Sequence, residues 1–262
     1  MKSTVPTILT RIVARKQEEL ASAPVPLPEL ERRAADRVRE RRDFAAALRS
    51  RQPALIAEAK KASPSKGLFR ASFDPAEIAR TYQAGGAAAM SVLTDRDFFQ
   101  GSLADLEQAR AAGSIPVLRK DFTISEYHVV EAAAHGADAI LLIAAILDTA
   151  EMRRYRELAG QFGMAALVEV HDKEELDAAI GSGAEIIGVN NRNLHDFSVS
   201  LDTALGLAAR IPAEALKVAE SGIRTAADVR TLMNAGYGAF LVGEQLMLAE
   251  NPAAELRALG RA

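Results

Sequence analysis

An α/β chain closed into a (β/α)8 barrel, with a helical extension ahead of the first strand, is the architecture this sequence predicts. Three observations predict it. Short runs of Val, Ile, Leu and Ala recur and end on polar residues or glycine, as buried parallel strands do: Leu55-Ile56-Ala57-Glu58-Ala59-Lys60, Val117-Leu118-Arg119-Lys120, Ala166-Leu167-Val168-Glu169, Ile187-Gly188-Val189-Asn190, Val218-Ala219-Glu220-Ser221 and Phe240-Leu241-Val242-Gly243. Helix-start signals follow these runs and glycines precede the next ones, which is the punctuation of alternating strands and helices. At 262 residues the chain matches the length of about 250 typical of a TIM barrel.

The extension is read first. Thr4–Ala21 places Ile8, Leu9, Ile12 and Val13 on one helical face. Arg11, Arg15 and Lys16 among Ser and Thr share the composition of a transit peptide, but Glu18 and Glu19 fit an ordinary amphipathic helix better. Pro24-Val25-Pro26-Leu27-Pro28 breaks this helix from Glu29–Arg51, whose eight arginines against five acids leave a net charge of +3. Such a run reads as a solvated face rather than an anion site, on helices that close the barrel bottom or fold over its top. The expectation is one domain, 1–262, with the extension over 1–50 and the barrel over 51–262.

Strand ends are expected near Lys60, Leu93, Lys120, Leu142, Glu169, Asn190, Glu220 and Gly243, which are 21–33 residues apart. Each interval holds a loop, a helix and the next strand. Asp74-Pro75-Ala76-Glu77 combines an N-cap, a first-turn proline and a capping acid. Ser102/Asp105, Asp148/Glu151, Asp172/Glu175 and Thr225/Asp228 repeat the cap-to-acid spacing. Gly85, Gly113, Gly136, Gly163, Gly183 and Gly236 stand where helices stop.

Composition narrows the function classes. A net charge of −3 with 26% charged residues gives no case for nucleic acid, and the longest apolar stretch, Ala139–Leu147, is about half a membrane span. With no cysteine there is no disulfide, thiolate metal site or cysteine nucleophile. The four histidines, His128, His135, His171 and His195, are scattered without metal-ligand spacing. Three of them are expected at the surface, with His171 near the mouth. The expectations are a cytoplasmic enzyme, monomeric, with a small-molecule substrate and neither metal nor organic cofactor.

Residues at the C-terminal ends of barrel strands carry the chemistry. Alternation puts Glu58 and Lys60 on one side of the first strand and Leu118 and Lys120 on one side of the third. A lysine at the end of a buried strand is costly unless paired, and Glu58, Glu169 and Glu220 are partners at the same mouth. Two lysines, three glutamates and Asn190 suit acid–base chemistry on an anion. Ser63-Pro64-Ser65-Lys66-Gly67 is a small polar loop, a weak signal alone. Ser221-Gly222-Ile223-Arg224 and Gly243-Glu244, after strands seven and eight, stand where such barrels frequently bind phosphate.

In this order the residues resemble the indole-3-glycerol-phosphate synthase family of tryptophan biosynthesis. The stretches that carry the resemblance are Ile56–Gly67, Ser91–Asp95, Phe98–Leu103, Leu118–Phe122, Leu167–His171, Gly188–Leu194, Ala219–Ile223 and Leu241–Glu244, together with the helical extension. The resemblance implies conversion of 1-(2-carboxyphenylamino)-1-deoxyribulose 5-phosphate to indole-3-glycerol phosphate by ring closure, decarboxylation and dehydration, a carboxy-lyase reaction. It implies Lys120 as the acid for the ketone oxygen, Lys60 as the partner of the substrate carboxylate and Glu169 as the base. Glu58 and Glu220 would hold the lysines and intermediate, and Asn190 would orient a hydroxyl; which lysine protonates the departing hydroxyl stays open. Ser63, Ser221, Gly222, Gly243 and Glu244 match phosphate-binding positions. Phe122, Leu142 and Leu194 would wall the aryl ring, with Arg192 near the mouth. Two other readings share the phosphate loops: another sugar-phosphate barrel enzyme such as a phosphoribosylanthranilate isomerase, and a non-catalytic sugar-phosphate-binding barrel.

Overall fold

Eight parallel strands close on themselves in the computed structural model, which describes residues 7–64, 66–70 and 72–262. They are β1 (Ala54–Ala59), β2 (Ala89–Leu93), β3 (Val117–Lys120), β4 (Ala139–Ile143), β5 (Ala165–Val170), β6 (Ile186–Asn190), β7 (Leu216–Glu220) and β8 (Ala239–Val242). Each pairs with its sequence neighbours, and β1 pairs with β8 to complete the ring. The expected ends hold to within a residue. The exact residue matters at β4, which ends on Ile143 rather than Leu142.

Side chains alternate between two apolar layers. Ile56, Leu118, Leu141, Leu167, Ile186 and Val218 fill the lower barrel interior. Leu55, Val92, Ile140, Leu142, Val168 and Phe240 face outward and pack under the surrounding helices. The same phase sends Glu58, Lys120, Glu169, Asn190 and Glu220 inward at the upper ends, above an apolar floor.

The helices that follow the strands start as the sequence predicts. Asp74 accepts from the amides of Ala76 and Glu77 ahead of α4 (Pro75–Ala84), and Ser102 caps α5 (Leu103–Ala112). Full capping boxes open α7 (Thr149–Gln161) and α10 (Ala226–Asn234), through Asp148/Glu151 and Thr225/Asp228. Before α8 (Lys173–Gly181) only half the box forms, because Glu175 turns instead to the amide of His171. Ser125, which sequence reading passed over, caps α6 (Glu126–Ala134). Of the stop glycines, 136, 163, 183 and 236 take left-handed φ. After α4 that role falls to Gly86 at φ 89°; Gly85 is needed for space, since a Cβ there would lie 2.9 Å from the backbone of Ala253. Gly113 is extended, with φ −135°.

The extension occupies both ends of the barrel. The first helix, α1 (Thr7–Ala21), lies across the top, where Ile8, Leu9 and Ile12 line the mouth. The chain then descends past α6, on which Tyr127 donates to the carbonyl of Val25 at 3.0 Å. Leu30 and Ala34 of α2 (Leu27–Asp36) are buried in the outer layer. Below, α3 (Phe44–Arg49) inserts Phe44 and Leu48 into the bottom of the interior.

The arginine-rich segment is therefore not simply a solvated face. Arg41 donates to the carbonyls of Ala133 and Phe162, and Arg42 to those of Ile115 and Arg110. Asp138, fully buried, accepts from the amides of Arg42 and Val117, each at 2.9 Å, and from the Arg110 guanidinium at 3.1 Å. These bonds join three segments at the barrel floor. Asp138→Ala strands the buried Val117 amide and Arg110 guanidinium and the half-buried Arg42 amide, so it should lower unfolding free energy by about 3–5 kcal/mol. Denaturant midpoints at unchanged slope would show this, and a loss under about 1 kcal/mol would overturn it.

Candidate active site

A cavity of about 220 Å³ opens at the C-terminal ends of the strands. Fourteen of the fifteen residues expected at a site line it: Glu58, Lys60, Ser63, Lys120, Phe122, Glu169, Asn190, Arg192, Leu194, Glu220, Ser221, Gly222, Gly243 and Glu244. Leu142 does not. It is buried on the outer face of β4, and its neighbours Leu141 and Ile143 face the cavity. A one-residue error in strand end reverses the face, so Ile143, paired in register with Glu169, holds the position assigned to Leu142. Ser65 of the first loop lies outside the described residues, as do Thr4 and the other residues before Thr7.

The charged core of the site consists of two ion-paired groups. Lys120 Nζ is 2.9 Å from Glu169 Oε2 and 3.9 Å from Glu220 Oε2. Lys60 Nζ is 2.7 Å from Glu58 Oε1 and sits 5.4 Å from the ring centre of Phe69. Asn190 donates to Glu169 Oε1 at 3.2 Å, while its own Oδ1 accepts the amide of Arg192 at 3.1 Å. Three buried carboxyls thus share two lysines at the mouth, where opposite charges at about 4 Å attract by about 4 kcal/mol at an effective dielectric of 20.

That imbalance separates the glutamates. Burial opposes ionisation of Glu169, but Lys120 and then His171 outweigh it and hold this carboxyl below the usual range. Glu220 is pushed well above that range, first by burial and then by repulsion from Glu169, with Glu58 adding to it. Burial would lower the Lys120 ammonium, yet Glu169, Glu220 and Glu58 together raise it. The arrangement supplies a carboxylate favoured in its ionised form, a carboxyl shifted toward its protonated form and a cationic lysine within one reach. Such separation of pKa values marks acid and base assignments.

Two glycines make room for the acids. A Cβ on Gly188 would sit 2.1 Å from Glu220 Oε1, and one on Gly243 would sit 2.4 Å from Glu58 Oε1. Gly243 therefore has a duty that its place in a turn does not state: it gives Glu58 its place. The turn after β7 carries consecutive left-handed residues, Ser221 at φ 64° and Gly222 at φ 78°. Glu244 pairs with Arg192 at 3.4 Å and with Lys66 at 3.5 Å across the mouth.

Glu220→Gln provides a measurable consequence of this electrostatic arrangement. A carboxyl raised in the folded state confers stability that is present below its unfolded value of about 4.3 and is lost as pH rises through its folded value. Glutamine cannot ionise, so the variant should be the more thermostable protein at alkaline pH. The difference in melting temperature should open above the unfolded value of about 4.3 and widen as pH rises, at roughly 2–4 °C per kcal/mol for a chain of this size. Parallel pH profiles would contradict the assignment.

Sequence reading missed part of the lining. Ile8, Leu9 and Ile12 reach the cavity from α1, and Phe99 comes from the loop after β2. The Phe99 and Phe122 ring centres are 6.0 Å apart. His128 is buried rather than superficial, with its imidazole lowered to about 3 by burial and then by Arg119. His171 is held by Glu175, 3.0 Å from Nδ1, and places Nε2 3.4 Å from Glu169. Among the described residues, no group of three or more His, Asp or Glu is arranged to hold a metal ion, and no helix is long and apolar enough to cross a membrane.

Comparison with known proteins agrees with this geometry. The family model for indole-3-glycerol phosphate synthase matches residues 9–259. An indole-3-glycerol phosphate synthase of Polaromonas naphthalenivorans (strain CJ2) is 53% identical over 258 residues, covering 96% of this chain and 98% of that protein. One from Paracidovorax citrulli (strain AAC00-1) is 52% identical over 262 residues, covering 96% and 98%. Among solved structures, a thiamine phosphate pyrophosphorylase from Pyrococcus furiosus aligns with a TM-score of 0.59 at 18% identity, covering 80% of this chain and 94% of that one, which is a likeness of fold. A family model matched along nearly the whole chain, and relatives identical at more than half of the aligned positions, place this chain in the indole-3-glycerol phosphate synthase family.

Proposed function

We propose that this chain closes the indole ring of 1-(2-carboxyphenylamino)-1-deoxyribulose 5-phosphate, releasing CO2 and water to give indole-3-glycerol phosphate. The observation that carries the reading is the opposed pair of lysines, Lys120 between Glu169 and Glu220 and Lys60 against Glu58, over one apolar-floored cavity. Family membership supplies the substrate class. In the ring-closing step the aryl carbon bearing the carboxylate attacks the ketone carbon. The ketone oxygen then takes a proton from Lys120, whose ammonium its carboxylate neighbours favour.

Loss of CO2 returns electrons to the ring. Dehydration then needs a proton for the departing hydroxyl and a base for the proton lost from the new five-membered ring. Glu169, kept ionised, is that base. Lys60 meets the substrate carboxylate, with Glu58 holding it in place, and is assigned the proton for the departing hydroxyl. Glu220, shifted upward by burial and by Glu169, holds a proton more readily than Glu169 does, and Asn190 steadies both Glu169 and a substrate hydroxyl.

The phosphate is assigned to the turns at Ser221–Gly222 and Gly243–Glu244 with Ser63, which line one side of the cavity. Phe99, Phe122, Leu194 and the α1 side chains wall the aryl end. The enzyme is a carboxy-lyase acting as a monomer on a small molecule. Incubation with the carboxyphenylamino sugar phosphate should release CO2 and produce indole fluorescence in equal amounts. Conversion to the isomeric N-aryl aldosylamine phosphate without CO2 would assign the site to a sugar-phosphate isomerase, and tight binding without turnover to a non-catalytic barrel.

A further inference from the structure

Behind the aryl wall lies a second group of buried charges that joins the roof helix α1 to the loops after β2 and β3. Lys16 is only 4% exposed. Its Nζ is 3.0 Å from Asp95 Oδ2, 3.0 Å from Asp121 Oδ1 and 3.1 Å from Glu19 Oε2.

Both aspartates have further duties on the cavity side. Asp95 Oδ1 accepts the amides of Phe98 at 2.8 Å and Phe99 at 3.2 Å. Asp121, the residue after Lys120, accepts the amide of Phe122 at 2.8 Å through Oδ1. Its Oδ2 accepts from Thr94 at 2.5 Å and from Arg119 at 3.1 Å. Arg119 in turn reaches Glu131 and the carbonyl of His128 on α6. Asp121 is thus clamped from the outer face by Arg119 and from above by Lys16. Asp95 receives no other cation than Lys16 among the ion pairs of the described residues.

Each aspartate orients the backbone that carries one ring of the Phe99–Phe122 pair. The same lysine holds down the helix whose Ile8, Leu9 and Ile12 line the mouth. A buried carboxylate keeps its geometry only while paired and hydrogen-bonded. Taking the cation away leaves two buried acids facing each other and frees both loops and the roof together.

We propose that Lys16 is a positioning residue for the aryl end of the site, setting the Phe99–Phe122 wall and the roof helix through Asp95 and Asp121. It touches neither substrate nor the reacting lysines. The inference rests on the proposed function for the identity of the aryl ligand. The coupling of Lys16 to the two loops stands on its ion pairs with Asp95 and Asp121 and on the amide hydrogen bonds those aspartates accept. Misplacement of a bound group by about 1 Å can cost up to 10²-fold in rate, so the expected effects are large for so remote a residue.

The test compares the unaltered protein with Lys16→Met and Lys16→Arg. Amide hydrogen exchange at Phe98, Phe99 and Phe122 should quicken about tenfold or more in Lys16→Met, with the barrel strands unchanged. Affinity for the substrate analogue with its ketone reduced to an alcohol should fall about tenfold. Affinity for ribulose 5-phosphate, which lacks the aryl group, should stay within about twofold. Lys16→Arg, which keeps the cation, should recover most of the analogue affinity. Exchange that rises evenly over the barrel, or equal losses for both ligands, would mean a general structural role and overturn the proposal. If Lys16→Met does not fold, Asp95→Asn must still quicken exchange at Phe98 and Phe99 without touching the strands, or the proposal fails. Absence of turnover in the unaltered protein would count against the proposed function, and the exchange pattern would then decide Lys16 by itself.

Discussion

Lys120→Met is expected to lower the single-turnover rate by about 10²–10⁴, the usual cost of losing a positioned general acid, while affinity for the substrate changes only a few-fold. Methionine preserves the length of the side chain and removes its charge and protons. Among the described residues no other cation lies within 4 Å of Glu220, and of the cationic groups near Glu169 only His171 would remain. Burial would then carry the Glu169 carboxyl upward, because Lys120 is the main charge opposing it. The variant therefore loses the acid and weakens the base together. Lys120→Arg restores charge without a transferable proton and should recover little. Rapid mixing of excess enzyme with substrate measures the chemical step, and a rate within about threefold of the unaltered enzyme would remove Lys120 from the acid role.

Glu169→Gln should separate two products that normally appear together. Ring closure and loss of CO2 need the acid at Lys120, whereas the proton lost as the indole becomes aromatic needs the base. Glutamine keeps the shape and the bond to Lys120 in a weaker, neutral form. Indole fluorescence should fall by about 10²–10⁴, with CO2 release falling distinctly less. A common loss in both signals would move Glu169 to ring closure or earlier. The base is also expected to work at unusually low pH, since a depressed carboxyl stays ionised there. The acid limb of activity should lie below the usual glutamate range, and a limb above it would contradict the pairing with Lys120 and His171.

Legibility in the sequence followed the range of each interaction. Strand ends were readable because buried parallel strands impose continuous apolar runs, and the inward or outward phase comes with them. Lys120 and Glu169 were readable because a charge at the end of such a run has few explanations other than function or an ion pair. The phase fails where a run has no polar residue to mark its end, and so the pattern points to Leu142 although Ile143 faces the site. Caps were readable at Asp74 and Asp148 because both partners are local. At Asp172 the box was broken by a bond from Glu175 to the neighbouring amide of His171 that spacing alone does not reveal.

By itself the sequence determined the barrel, the order of its strands, the acids and lysines at its mouth, and the glycine turns beside them. Each of these follows from periodicity or from residues a few positions apart. Tertiary structure alone decided where the extension lies, because an amphipathic helix states that it must bury one face and not which face it meets. It also turned the arginine-rich run into the floor of the barrel, through carbonyls and Asp138 donated by distant segments. Likewise it set Lys16 between Asp95 and Asp121, residues 79 and 105 positions away along the chain. The opposite shifts of Glu169 and Glu220 were decided there too, because pKa values depend on burial and on charges within a few ångströms, and those distances exist only after the barrel has closed.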